Sequence, residues 1–107
     1  MTDTVPEPVA QLIAATNSPD LETFLDTFTS DGVVDDWGRT FLGRPEIRHW
    51  SDNEYLGKQV TLEVTSVQNT PTGAIVVAQV GGNGFNGPST FSFLLSGNKI
   101  QRMTIRE

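Results

Sequence analysis

Apolar positions in the first quarter of the chain follow a helical period. Val9, Leu12, Ile13 and Thr16 fall at i, i+3, i+4 and i+7, and Pro6 or Pro8 suits a first turn, so a helix is predicted over residues 6–16 with Asn17 as its stop. Ser18-Pro19-Asp20 restarts the chain, with Ser18 as N-cap and proline at the first helical position. The second helix then carries Leu21, Phe24, Leu25 and Phe28 on one face. Gly43-Arg44-Pro45-Glu46 opens a third, running to Gly57 with Ile47, Trp50 and Glu54 on its inward stripe. Beyond it the period drops to two. Val60, Leu62 and Val64 alternate with polar residues, Ala74 to Val80 is nearly all apolar, Phe91, Phe93 and Leu95 alternate again, and Ser96-Gly97-Asn98-Lys99 turns the chain into a last strand, Ile100 to Ile105. The order is helix, helix, strand pair, helix and four strands, which predicts an α+β fold with helices on one face of an antiparallel sheet.

Between the second and third helices lies the stretch from Asp31 to Trp50, whose strand contains two adjacent acids, Asp35 and Asp36. Carboxylates are disfavoured in strands and costly in a core, so an acid here either faces water or sits where its charge is used. Alternation sends the two to opposite sides: Val34, Asp36 and Gly38 share one, Val33, Asp35 and Trp37 the other. The residues alone leave open which side is concave.

At 107 residues the chain is read as one domain, 1–107, able to bury a core without a staple. It has no cysteine and one histidine, His49, which excludes disulfides, thiolate metal sites and multi-histidine metal sites. The acidic N-terminus lacks the apolar run of a signal peptide or anchor, and no segment reaches the roughly 18 apolar residues of a membrane span, so a cytoplasmic protein is expected. A net charge of −6 argues against nucleic acid or an anionic membrane as partner, because binding either rests on Lys and Arg.

Two tempting motifs fail on context. Gly82-Asn83-Gly84-Phe85-Asn86-Gly87 spells the dinucleotide fingerprint, but a strand rather than a helix is predicted after it, so it reads as a hairpin or bulge. His49, Ser51 and Asp52 are close neighbours on one helix and cannot face one another as a triad.

Phe28-Thr-Ser-Asp31-Gly-Val-Val-Asp35-Asp36-Trp-Gly38, followed by Phe41-x-Gly43-Arg44-x-x-Ile47-x-x-Trp50, resembles the signature of the nuclear transport factor 2-like superfamily, with its SnoaL-like polyketide cyclases and ketosteroid isomerases. The resemblance implies three N-terminal helices packed on a strongly curved antiparallel sheet, a cone enclosing an apolar pocket, a homodimer through the sheet and no cofactor or metal. It places the isomerase's general base on Asp36, which would therefore face inward, leaving Asp35 on the other face to matter little. It puts Leu12 and Thr90 where the isomerase has its two oxyanion donors, and Ser51 where it has a supporting tyrosine, so steroid isomerisation itself is not implied. The expected pocket holds Asp36 with Trp37, Phe41, Trp50, Tyr55, Phe91 and Phe93 as walls and Gln79 and Thr90 as neutral polar groups, although core packing is the plainer explanation for most of the aromatics.

Three functions fit these residues: an isomerase, dehydratase or cyclase in which Asp36 moves a proton on a small apolar molecule; a non-catalytic pocket for such a molecule; and a dimeric accessory domain. The dimer has a reason in the sequence. The strand from Ala74 to Val80 is apolar on both faces and helices can cover only one, so either Ile75 and Val77 or Val76 and Ala78 are left for a second chain.

Overall fold

The computed structural model describes residues 4–106; Met1–Asp3 of the acidic N-terminus, and Glu107, lie outside the described residues. Helices α1 (Glu7–Asn17) and α2 (Leu21–Asp26) lead into the hairpin β1 (Phe28–Asp36) and β2 (Arg39–Leu42). Helix α3 (Gly43–Glu54) and a short 3-10 turn (Leu56–Lys58) follow, then β3 (Thr61–Thr70), β4 (Gly73–Gly81), β5 (Gly87–Ser96) and β6 (Lys99–Arg106). The strands form one sheet in the order β2-β1-β6-β5-β4-β3. Its neighbours are antiparallel except β1 and β6, which run parallel because helix α3 and the four strands between them bring the chain back in the same direction. The sheet is open rather than closed into a barrel. Among the described residues no helix is long and apolar enough to cross a membrane.

All three helices lie against the concave face, where Val9, Leu12, Phe24, Ile47 and Trp50 meet Val34, Val76, Ala78, Phe91, Phe93, Met103 and Ile105. Ile13 is only partly buried at the margin of this core. An aromatic column fills the interior: Phe28 meets Phe24 edge-on at 5.5 Å, Phe24 meets Tyr55 at 5.3 Å, and Tyr55 stacks on Trp50 at 5.0 Å between centroids. Such pairs add about 1 kcal/mol each to the burial of their area.

Local details depart from the sequence expectation for identifiable reasons. The N-cap of α2 is Asp20, not Ser18: one carboxylate oxygen accepts from the orphan Thr23 N–H at 3.2 Å and the other from the Thr23 hydroxyl at 2.8 Å. Phe28, expected on α2, is the first residue of β1 and is still fully buried. Helix α3 stops at Glu54 rather than Gly57, and Glu54 faces out to Arg39.

Asn17 does more than stop α1. Its side chain donates to the Leu62 carbonyl at 2.9 Å and accepts from the Leu62 N–H at 2.7 Å, pairing with edge strand β3 as a neighbouring strand would. Replacing it with Leu leaves both backbone groups without this partner. Asn17→Leu is expected to cost about 1–3 kcal/mol, read as a lower urea midpoint with an unchanged slope; an unchanged midpoint would show that water replaces the clamp without loss.

Candidate functional site

Strand β1 sets the site. Its alternation places Val34 and Asp36 on the concave face and Asp35 on the convex one, and register links Asp36 to Ile105 of β6, itself opposite Phe91 of β5. The strand then reverses in two residues, Trp37 and Gly38, before β2 begins. Both have positive φ, 55° and 92°, as the favoured two-residue hairpin turn demands. Glycine takes this conformation freely, but a tryptophan there is strained. The turn holds Trp37 out at the mouth of a cavity, 55% exposed.

That cavity has a volume of about 100 Å³ and is bounded by Asp36, Trp37, Trp50, Glu54, Tyr55, Val60, Val80, Phe85, Ser89, Phe91 and Ile105. It is small against the roughly 300–1,000 Å³ of drug-sized ligand sites, because the aromatic column occupies the rest of the cone. Five residues expected in the pocket, Asp36, Trp37, Trp50, Tyr55 and Phe91, come together around it. The others lie elsewhere. Phe41 packs behind Trp50 at 6.0 Å, beneath the Arg39 guanidinium. Phe93 is buried further along β5. Gln79 lies exposed on the convex face opposite Pro88, and Thr90 pairs with Val77 and Arg106 on that same face. The alternation of β5 runs unbroken with Ser89, Phe91 and Phe93 turned inward, so Thr90 between them points out. Ser89 takes the inward polar position instead.

Asp36 has a side chain 17% exposed. Its Oδ2 accepts from the Trp50 indole N–H at 3.1 Å and from Arg39 at 2.7 Å, while among the described residues no hydrogen bond reaches Oδ1. Arg39 also makes a two-point contact with Glu54, at 2.7 and 2.9 Å. That contact holds the Glu54 carboxyl below its usual range and the guanidinium above its own. Arg39 and Glu54 were not foreseen; an arginine just after a tight turn and an acid at the end of a helix give no sign in sequence that they will meet. The Tyr55 hydroxyl lies 2.9 Å from Thr16 Oγ1, and Thr16 spends its own proton on the Leu12 carbonyl at 2.8 Å, so Tyr55 must donate to Thr16. Its ring is a wall of the cavity but its proton points into the core, and burial pushes the phenol above its usual range.

The loop Gly82–Asn86 supplies Phe85 to the mouth opposite Trp37. As expected, a strand follows the glycine motif and no helix is present to hold a pyrophosphate. Gly82 has φ of 130° and a side chain there would meet the Gln59 carbonyl at 2.8 Å; Asn83 N–H bonds to Lys58 and the Asn86 amide ties back to Gly82 and Gly84. His49 is exposed on α3, its neighbour Asn53 within 3.2 Å, away from the cavity. Among the described residues no group of three or more His, Cys, Asp or Glu could hold a metal ion.

Asp35 is not the inert neighbour expected. It is buried on the convex face, where Arg102 contacts Oδ2 at 2.8 Å, Arg106 contacts Oδ1 at 3.0 Å and the Gly38 N–H donates to Oδ1 at 2.8 Å. The Arg106 hydrogen bond, against partial desolvation and with help from Gly38 and Arg102, holds its carboxyl down to about 2 from an ordinary value near 3.8. The folded value lies below the unfolded one, so the stabilisation is complete above about pH 5 and is lost as pH falls from there through about 2. Asp35→Asn should cost about 1–3 kcal/mol at pH 7. In urea unfolding at pH 7 and pH 3 the variant should lose less stability between the two than the parent does, and an equal loss in both would break the assignment.

No protein-family model matches the chain, and no curated protein matches its sequence significantly. Solved structures do. A candidate polyketide cyclase from Sinorhizobium meliloti is 26% identical over 95% of both chains with a TM-score of 0.88. A protein with a ketosteroid isomerase-like fold from Catenulispora acidiphila, solved with trimethylamine, is 23% identical over 97% of this chain and 87% of its own, TM-score 0.82. An epoxide hydrolase/cyclase-like enzyme of pyran ring formation in polyether salinomycin is 18% identical over 94% and 87%, TM-score 0.83.

Proposed function

We propose that this chain, a protein of the nuclear transport factor 2-like superfamily, is a small-molecule pocket protein in which Asp36 transfers a proton on a small, largely apolar substrate without a cofactor. The observation that carries the proposal is the asymmetry of the carboxylate of Asp36, a residue on the wall of an aromatic cavity: Oδ2 is fixed by Trp50 and Arg39, and among the described residues no hydrogen bond reaches Oδ1. A carboxylate oriented through one oxygen and free at the other is what a general base requires. Similarity to a candidate polyketide cyclase and to a cyclase-like enzyme agrees with proton-transfer chemistry, though the same scaffold hosts many reactions.

The cavity restricts the substrate. At about 100 Å³ it takes a ring of five or six atoms, or one end of a longer molecule reaching out between Trp37 and Phe85. A simple ketone is therefore a fair probe. In D2O the protein is expected to speed deuterium exchange at the carbon next to the carbonyl of cyclopentanone, and Asp36→Asn to reduce that rate about 100-fold or more while circular dichroism stays unchanged. Exchange no faster than in buffer, with the ketone bound, would leave a binding protein.

A second reading is favoured by the charged lining. The charged groups bounding the cavity are both acids, Asp36 and Glu54, among aromatic rings, a setting that suits a small organic cation held without turnover. The trimethylamine complex of the Catenulispora protein agrees with it. We also propose that the chain pairs with a second copy through the convex face of the sheet, where Ile75 and Val77 are only partly covered and Leu94 is exposed. Sedimentation should report a dimer at tens of micromolar, and a strict monomer would remove this interface.

A further inference from the structure

Ser89 is the polar residue of the cavity without a structural task. It lies on the inward face of β5, 3% exposed, with Ala78 beside it on β4. Among the described residues no hydrogen bond reaches its hydroxyl, although the buried hydroxyls of Thr16, Thr27 and Tyr55 are paired and the Ser51 oxygen accepts from the Leu56 N–H at 3.4 Å. The oxygen is not sealed in, since among the described residues the one sealed, unpartnered side-chain atom is Nε of Arg44, and Ser89 borders the cavity. The hydroxyl gives the fold no hydrogen bond, and serine has no packing advantage over alanine at this position.

The other inward donors are spent. The Trp50 N–H is given to Asp36 and the Tyr55 O–H to Thr16. Trp37 carries an indole N–H, but it stands in solvent at the mouth. Ser89 is thus the buried donor left for a ligand. Strand β6 separates β5 from β1 and Asp36 is level with Phe91, so Ser89 and Asp36 stand on one concave face two strand spacings across and two residues along, roughly 12 Å between backbones. Both border the one cavity, which admits a small ring with an acceptor at the Ser89 end and a C–H at the Asp36 end.

We infer that Ser89 is the anchoring residue of this pocket, donating its hydroxyl proton to the carbonyl oxygen of a small uncharged ligand whose body lies against Phe91 and Trp50 and whose adjacent carbon faces Asp36. The ligand class is then a compact ketone, aldehyde, ester or lactone. Anions are disfavoured by the two acids, and a fully apolar molecule would leave the Ser89 hydroxyl buried and unpaired. The inference deepens the proton-transfer reading and rests on it for the placement of the reactive carbon, but the anchoring contact can be tested separately.

The test compares two ligands of one shape, cyclopentanone and methylenecyclopentane, by NMR titration of the parent, Ser89→Ala and Asp36→Asn. The parent should prefer the ketone by about tenfold, the worth of one good hydrogen bond. Ser89→Ala should abolish that preference without weakening the hydrocarbon, and its thermal midpoint without ligand should equal or exceed the parent's. Asp36→Asn should keep the preference. A parent that binds neither ligand or does not discriminate overturns the inference, as does a Ser89→Ala variant that keeps the preference or melts at lower temperature, which would give the hydroxyl a structural partner. Loss of deuterium exchange in Asp36→Asn with the preference untouched by Ser89→Ala would sink the anchor and leave the base; no exchange in the parent together with a Ser89-dependent preference would do the reverse.

Discussion

Two adjacent carboxylates on one strand can be tolerated only if each finds its own cation, and β1 meets that condition by sending them to opposite faces. Asp35 is tied on the convex side by Arg102 and Arg106 of β6, and Asp36 is tied on the concave side by Arg39. The parallel pairing of β1 with β6 is what brings Arg102 and Arg106 beside Asp35, and the two-residue turn is what folds Arg39 back onto Asp36. The Gly38 N–H, donated to Asp35, links the two arrangements. The first acid therefore fixes the turn and the sheet, and the second is left on a rigid strand facing the cavity. A carboxylate placed for chemistry needs such a supporting set, because small errors in its position would be felt as lost rate.

The aromatic column decides how much room that carboxylate has. Phe28, Phe24, Tyr55 and Trp50 run through the cone, and Tyr55 is locked by its bond to Thr16 while Trp50 is locked by its bond to Asp36. Neither ring can swing aside without leaving a buried polar group unpaired. The interior is thus a packed core over most of its length and a cavity only at the end bounded by Trp37 and Phe85. Both of these are exposed large apolar residues on turns with positive-φ geometry, and holding such rings in water at one spot is a cost that a folded core does not need.

Periodicity made the fold legible. The helical faces of residues 9–16 and 21–25, the α3 start at Gly43 and the alternation in the last four strands all lie where the pattern put them, since burial on one face is written directly into the spacing. The parallel β1–β6 contact was not readable, because strand order depends on tertiary closure and not on local pattern. At the site, Phe91 followed from the alternation of its strand, whereas Asp36 could be turned inward only through the family resemblance, and Trp37 reaches the cavity because the turn, not strand alternation, directs it. Thr90 and Gln79 could not be placed, since the alignment that chose Thr90 ran against the alternation of β5, whose Ser89, Phe91 and Phe93 face inward, and an apolar strand gave no phase for Gln79. Arg39, Glu54 and Ser89 left no trace because pairing across a fold, or the lack of it, is invisible until the chains of contacts are laid down.

The same limits bear on what similarity can say about chemistry. At 26% identity over nearly the whole of both chains, the Sinorhizobium protein shares the scaffold, and a scaffold of this kind fixes where a cavity opens and which strand faces it. It does not fix which donors remain unspent. Here the two that the aromatic core could have offered, Trp50 and Tyr55, are consumed in holding the core and the acid in place, so the pocket's power to recognise a ligand falls to whatever else points inward. That is the Ser89 hydroxyl on β5, next in sequence to Thr90, the residue the family resemblance chose. In a cone filled by its own aromatic rings, then, specificity is set by the few polar atoms that packing did not use.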